Sequence, residues 1–196
     1  NGMLSPCFNY AIAGALWYQG ESDGYDAERY KSLLLKMIML WRQKFTYAPT
    51  DMPFVIMQLP NWSDGFGEDY CTNTMNWAQM RQEQLLVTEI VENTGIAITI
   101  DAGEWNDLHP EKKRTGGTRA AIEALRIGYG KKYNKAPKMI SVSHSGKDYV
   151  VHFETGSAKL KTLAGSEIPG FCFAYEHGKE LNLIESKGKL ISDTEV

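Results

Sequence analysis

Three short apolar runs constrain this chain more than any other feature: Ala11 to Tyr18, Pro53 to Leu59 and Gly95 to Ile100. Each is nearly continuous rather than alternating, the pattern of strands covered on both faces in a parallel sheet. Helical stripes separate them. Tyr30, Leu33, Leu34, Met37, Ile38, Trp41 and Phe45 recur at three- and four-residue spacing behind Asp26, a capping residue. Trp77, Met80, Gln84, Val87 and Val91 form a second stripe. A third helix is expected from just after Pro110 to about Tyr133, with Ala120, Ala121, Ala124 and Gly128 suited to close packing. Strand–helix alternation of this kind predicts a doubly wound α/β sheet.

Beyond Pro137 the pattern changes. Met139 to His144 and Tyr149 to Phe153 alternate apolar with polar residues across Ser145-Gly146-Lys147-Asp148, a hairpin signal. Phe171 to Tyr175 and Leu190-Ile191 read as further short strands. The expectation is therefore an α/β domain over residues 1–136 followed by the beginning of a β-rich segment over residues 137–196. A chain of 196 residues, 43% hydrophobic, is long enough for that division.

Several function classes are disfavoured at once. A net charge of −3 gives no general attraction to nucleic acid or to an anionic membrane surface, and the basic clusters Lys112-Lys113-Arg114 and Lys131-Lys132 read as solvated helix faces. No apolar run approaches the ~18 residues of a membrane-spanning helix. No metal-ligand spacing such as H-E-x-x-H occurs, so neither a metal nor another cofactor is expected. Cys7, Cys71 and Cys172 lie far apart without a C-x-x-C, which reads as buried thiols or at most one disulfide.

Ligands of open α/β sheets bind outside the carboxyl ends of the strands. Two polar clusters fall there. The first run leads into Gln19-Gly20-Glu21-Ser22-Asp23-Gly24, and the third into Asp101-Ala102-Gly103-Glu104-Trp105-Asn106-Asp107-Leu108-His109-Pro110. His109 precedes a proline favoured at the first helical position, which predicts a helix N-cap. There the helix dipole would keep the imidazole neutral, as a general base requires, and a carboxylate would be needed to orient it. A capping or core histidine is the plainer alternative. His144, His152 and His177 read as ordinary strand or surface residues. Arg81 and Gln84 fall on the buried side of the second stripe and are expected to hydrogen-bond to the strand ends as scaffold. Trp17, Tyr18, Trp62 and Trp105 are either a sugar-stacking rim or core.

Trp17-Tyr18-Gln19-Gly20-Glu21-Ser22 after a buried strand, followed much later by Asn106-Asp107-Leu108-His109-Pro110, resembles the sialate O-acetylesterases and related acetylxylan esterases of the SGNH hydrolase superfamily. Asn1-Gly2-Met3, Gln58-Leu59-Pro60 and the Trp77–Gln84 segment support the resemblance, which spans roughly residues 1–133. It implies a flavodoxin-like three-layer α/β/α sandwich, an acetylated carbohydrate substrate, and a periplasmic or extracellular location. It also implies His109 as catalytic base and Gln19 and Gly20 beside an oxyanion hole. The wider superfamily uses Asp-x-x-His, whereas here Asp107 is two residues before His109 and Asn106 holds the position three before. In some related acetylesterases the motif Glu orients the His instead, and that resemblance implies Glu21 as acid partner ahead of Asp107. The serine nucleophile of such enzymes sits on a Gly-x-Ser-Asn-type loop that nothing in this chain matches, and it is expected upstream of Asn1.

Rival readings remain. Gly20-Glu21-Ser22-Asp23-Gly24 fits the Gly-x-Ser-x-Gly nucleophile elbow of α/β-hydrolases, with Asp101 or Asp107 and then His109 completing the order. Against it, Gly24 and Asp26 place the helix start about four residues after Ser22. Glu21 and Asp107 as paired glycosidase carboxylates are a weaker match. A non-catalytic carbohydrate-binding fragment is the alternative from a different class.

Overall fold

The computed structural model describes residues 2–62, 77–104, 107–162, 165–177 and 180–196. Trp105, Asn106 and Cys71 therefore lie outside the described residues. The chain forms two compact units, one running to Tyr133 and one from Asn134 to Val196.

The first unit is built on a parallel sheet of β1 (Ala15–Trp17), β2 (Phe54–Met57) and β3 (Thr94–Ala97), in that order across the sheet. The strands are shorter than the apolar runs that announced them. Ala11, Ala13 and Gly14 are exposed and outside the ladder, and Thr99 sits past the end of β3, buried and bonded to the Gln58 carbonyl. Period-two alternation divides β2 between two cores. Phe54 and Ile56 pack with Tyr30, Leu34 and Ile38 of α1 (Ala27–Lys44) and with Trp77, Met80 and Val87 of α2 (Trp77–Ile90). Val55 and Met57 pack with Ala97 and with Ala120, Ala124 and Ile127 of α3 (Arg114–Tyr129). A strand buried on both faces between helices is the central layer of an α/β/α sandwich.

Each helix end has a local cause. Asp26 caps α1 by accepting from the Arg29 N–H at 3.1 Å. Gly130, in the left-handed conformation at φ 61°, ends α3. The start of α3 corrects the sequence expectation. Its N-cap is Lys113, so neither His109 nor Pro110 belongs to the helix terminus, and Pro110 is buried in the preceding loop.

The second unit contains two antiparallel hairpins. β4 (Lys138–Ser145) pairs with β5 (Asp148–Glu154) around Gly146, and β6 (Glu167–His177) pairs with β7 (Glu180–Lys189). Residues 194–196 pair with the other edge of β5: Val151 and Val196 exchange N–H···O bonds of 2.8 and 3.0 Å, and the Phe153 N–H donates to the Thr194 carbonyl. Leu190 and Ile191, expected as a strand, lie beyond β7 in irregular chain. Cys7 is a free thiol, whereas Cys172 is disulfide-bonded.

Candidate active site

Parallel pairing puts the carboxyl ends of β1, β2 and β3 along one edge of the sheet, and the loops leaving them are tied to one another. The anchor of the first loop is Gln84, on the second turn of α2 and fully buried. Its Oε1 accepts from the Leu59 N–H at 2.9 Å, and its Nε2 donates to the Gln19 carbonyl at 3.2 Å. Tyr30 of α1 donates to that same carbonyl at 2.8 Å and accepts from the Trp17 indole at 3.2 Å. One amide side chain thus satisfies two backbone groups from different loops that burial would otherwise leave unpaired.

Held in this way, the chain makes an abrupt turn at Gly20, whose φ of 150° lies where side chains rarely go. A Cβ there would also press on Gln84 Nε2 at 3.2 Å and Leu59 Cδ1 at 3.4 Å, so glycine is required. Residues Glu21–Asp23 follow as one 3-10 turn. The loops after β2 and β3 meet at a second glycine: Gly103 donates to Asn61 Oδ1 at 2.9 Å, and a Cβ would lie 2.1 Å from the Asn61 carbonyl oxygen. Leu108 packs against the same core cluster as Trp17 and Tyr18, and the Lys113 ammonium stands 5.2 Å from the centre of the Tyr18 ring. The third loop is thereby fastened beside the first.

The polar groups of these loops are engaged locally. The Gln19 amide donates to Asp23 Oδ2 at 3.0 Å. Glu21 accepts from the Gly20 N–H at 2.9 Å, and Asp107 accepts from the His109 N–H at 2.7 Å. Glu21 thus ties down its own loop, and Asp107 caps the turn at His109. Among the described residues no hydrogen bond reaches the His109 ring, which is exposed. Burial raises the pKa of Tyr18 and of Tyr30, and the nearby Glu21 charge raises both further, by discouraging a second anion. The Tyr30 hydroxyl accordingly stays a hydrogen-bond donor at physiological pH.

Of its two alternatives Trp17 takes the core one: half-buried, it packs edge-on against Trp41 at 5.8 Å and hydrogen-bonds Tyr30 at the margin of the core cluster. Trp62 stacks on Trp77 at 5.0 Å. Gln84 fulfils the scaffold role expected of it, whereas Arg81 does so only through its backbone, whose carbonyl accepts from Gln58 Nε2 at 3.2 Å. Among the described residues its guanidinium has no hydrogen bond or ion pair, and burial alone lowers its pKa to about 10. Sequence reasoning assigned Arg81 a side-chain bond to the strand ends, and the bond that forms there uses its carbonyl instead.

Ser22 does not have the geometry of a nucleophile elbow. It lies inside the 3-10 turn, four residues before the N-cap of α1, and Asn93 is the one non-glycine of positive φ among the described residues. An elbow needs a strained strand-to-helix turn with its Ser at the helix start. The apolar groove lined by Leu35, Met39, Leu40 and Ile90 is at the ends of α1 and α2 remote from these loops.

Comparison with known proteins agrees with this architecture. Residues 4–124 match the family model described as carbohydrate esterase, sialic acid-specific acetylesterase. Sialate O-acetylesterase of Mus musculus is 30% identical over 142 residues, covering 67% of this chain and 26% of that protein. The Homo sapiens sialate O-acetylesterase is 27% identical over 142 residues, with 67% and 27% covered. This chain thus spans about a quarter of the length of these curated relatives. The crystal structure of XAC1771, a carbohydrate acetylesterase from Xanthomonas citri, superposes with a TM-score of 0.78 at 27% identity, covering 98% of this chain and 42% of that one. The fold is that of a carbohydrate acetylesterase, and the chain belongs to the sialic acid-specific acetylesterase family of carbohydrate esterases.

Proposed function

We propose that the protein to which this chain belongs removes O-acetyl groups from sugars, sialic acid or acetylated xylan fragments, by a serine–histidine–acid mechanism. The observation that carries this reading is the family match over residues 4–124, which includes both the Gln19–Asp23 loop and the loop that bears His109. His109 accepts the proton of the attacking hydroxyl and returns it to the leaving sugar oxygen. Glu21 or Asp107 orients the imidazole and stabilises its cationic form. Either carboxylate must first leave its backbone N–H, a side-chain rotation of the kind that substrate-free sites commonly require. When Glu21 moves, the Gly20 N–H becomes available, together with the Gln19 amide, to donate to the tetrahedral oxyanion.

The nucleophile is a serine from outside these 196 residues, a reading that Ser22 supports by its unstrained turn. Residues 1–136 form the esterase domain in this reading, and residues 137–196 belong to a β-rich appendage. Location is periplasmic or extracellular, in keeping with the disulfide at Cys172, since disulfides persist in oxidising compartments. The test is to assay the full-length protein on O-acetylated sialic acid, on acetylated xylan fragments and on long-chain acyl esters. Preference for long acyl chains would overturn the acetylesterase assignment, and activity abolished by Ser22→Ala would return the nucleophile to the elbow.

A further inference from the structure

A row of three side chains crosses the second unit from strand to strand. Ser143 Oγ on β4 lies 2.8 Å from His152 Nε2 on β5, and His152 Nδ1 lies 3.2 Å from Oε1 of Glu195, in the 194–196 segment that pairs with β5. The order and the ring atoms are those of a serine–histidine–acid relay. Glu195 fixes the tautomer that carries hydrogen on Nδ1, so the Nε2 lone pair is left to accept the Ser143 hydroxyl proton. Glu195 is itself held: Ser192 Oγ donates to its other oxygen, Oε2, at 2.9 Å. The backbone beneath the row is a continuous hydrogen-bonded ladder, through the β4–β5 register and the paired Val151 and Val196. Groups seated on paired strands keep their relative positions better than groups on loops.

From this geometry we propose that Ser143, His152 and Glu195 form a second acyl-transfer centre, one that acts on small activated esters and is separate from the site at the sheet edge of the first unit. Ser143 Oγ attacks the ester carbonyl carbon while His152 Nε2 takes its proton. The C–O bond to the alcohol breaks and the alcohol leaves with that proton, giving O-acyl-Ser143. Water then repeats the sequence, releasing the acid and restoring the serine. Ser143 is exposed, and the His152 and Glu195 side chains are 30% and 33% exposed, so a small reagent can reach the row. The same openness leaves the transition state in water. An oxyanion already solvated by water gains little from protein donors, so turnover is expected to fall short of an oxyanion-assisted enzyme by roughly 10²–10³-fold.

The experiment reads the site directly. Full-length protein is incubated with a fluorophosphonate, which phosphonylates relay-activated serines, then digested and sequenced by mass spectrometry. An adduct on Ser143 is expected, separate from any other labelled serine. His152→Ala should slow that labelling by about 100-fold, the lower end of general-base assistance. Glu195→Gln should slow it less. Circular dichroism of each variant confirms the folded β content. An unlabelled Ser143 in folded protein overturns the proposal. So does labelling that ignores His152→Ala, because the contact would then be only a cross-strand hydrogen bond.

Discussion

Replacing Gln84 by methionine tests the claim that one buried amide fastens the candidate site. Methionine fills a similar volume without strain, so the cavity contribution is small. What changes is hydrogen bonding. The Leu59 N–H loses its acceptor in a region where Leu59 and Gln84 are both fully buried, at a cost of roughly 1–3 kcal/mol for an orphaned donor. The Gln19 carbonyl keeps its bond from Tyr30, so losing the Gln84 amide there costs only about 0.5–1.5 kcal/mol. The sum is roughly 1.5–4.5 kcal/mol, a large share of the stability of an ordinary domain. All five tryptophans precede Tyr133, so urea unfolding followed by tryptophan fluorescence reports on the first unit. Gln84→Glu sharpens the test. A carboxylate still accepts from Leu59 but turns its second oxygen on the Gln19 carbonyl, so the deficit should shrink as pH falls and the introduced carboxyl regains a proton to donate. A Gln84→Met deficit below about 0.5 kcal/mol would refute the fastening role, since that is the range of an ordinary surface substitution.

Other consequences follow from single groups. Arg81→Met removes a guanidinium whose pKa burial lowers to about 10. Charged at every pH below that value and without a partner among the described residues, it costs stability throughout the neutral range, and the substitution should stabilise by about 1–3 kcal/mol. A loss of stability in urea would show that the guanidinium has a partner. Asp101 is bonded twice by the Arg119 guanidinium, which also reaches the Ile98 carbonyl at 2.8 Å, and this pairing holds the Asp101 carboxyl below its ordinary range. A lowered folded-state pKa gives stability that is present above the ordinary carboxylate value of ~3.9 and lost as pH falls through the folded one. Thermal unfolding of Asp101→Asn should therefore flatten below about pH 4 relative to the parent, and parallel curves would count against the pairing. Asp26→Ala should cost about 1 kcal/mol by uncapping α1, measured by the same urea titration.

Much of the first unit was legible in the residues because its signals are periodic. The alternation of Phe54, Val55, Ile56 and Met57 between two helical layers, and the α1 stripe behind Asp26, need only period-two and period-3.6 patterns. What failed depended on competition between local bonds. Pro110 reads as a helix start, yet Asp107 ties down the His109 N–H and Arg119 ties down Ile98 and Asp101, so the loop outlasts the proline and α3 begins at Arg114. His109 thereby loses the helix-dipole argument for its neutrality, though not its place on the loop after β3. His152 reads as an ordinary strand residue because its partners lie nine positions before and forty-three after it, a spacing no motif records. The Gln84 bridge was half-visible: a polar residue on a buried stripe requires partners, but only the fold shows that they are Leu59 and Gln19.

The central claim is that His109 is the base of an acetylesterase whose oxyanion donors come from the Gln19–Gly20 turn. It is tested most directly by kcat/KM on an O-acetylated sugar, measured with the full-length protein carrying Ser143→Ala so that the second centre contributes nothing. On that background His109→Ala should lower kcat/KM by roughly 10³-fold or more, because the members of a relay act as a unit. Ser22→Ala should leave it within about threefold, a barrier change below 1 kcal/mol. A His109→Ala enzyme that retains a tenth or more of the parental kcat/KM would contradict the account.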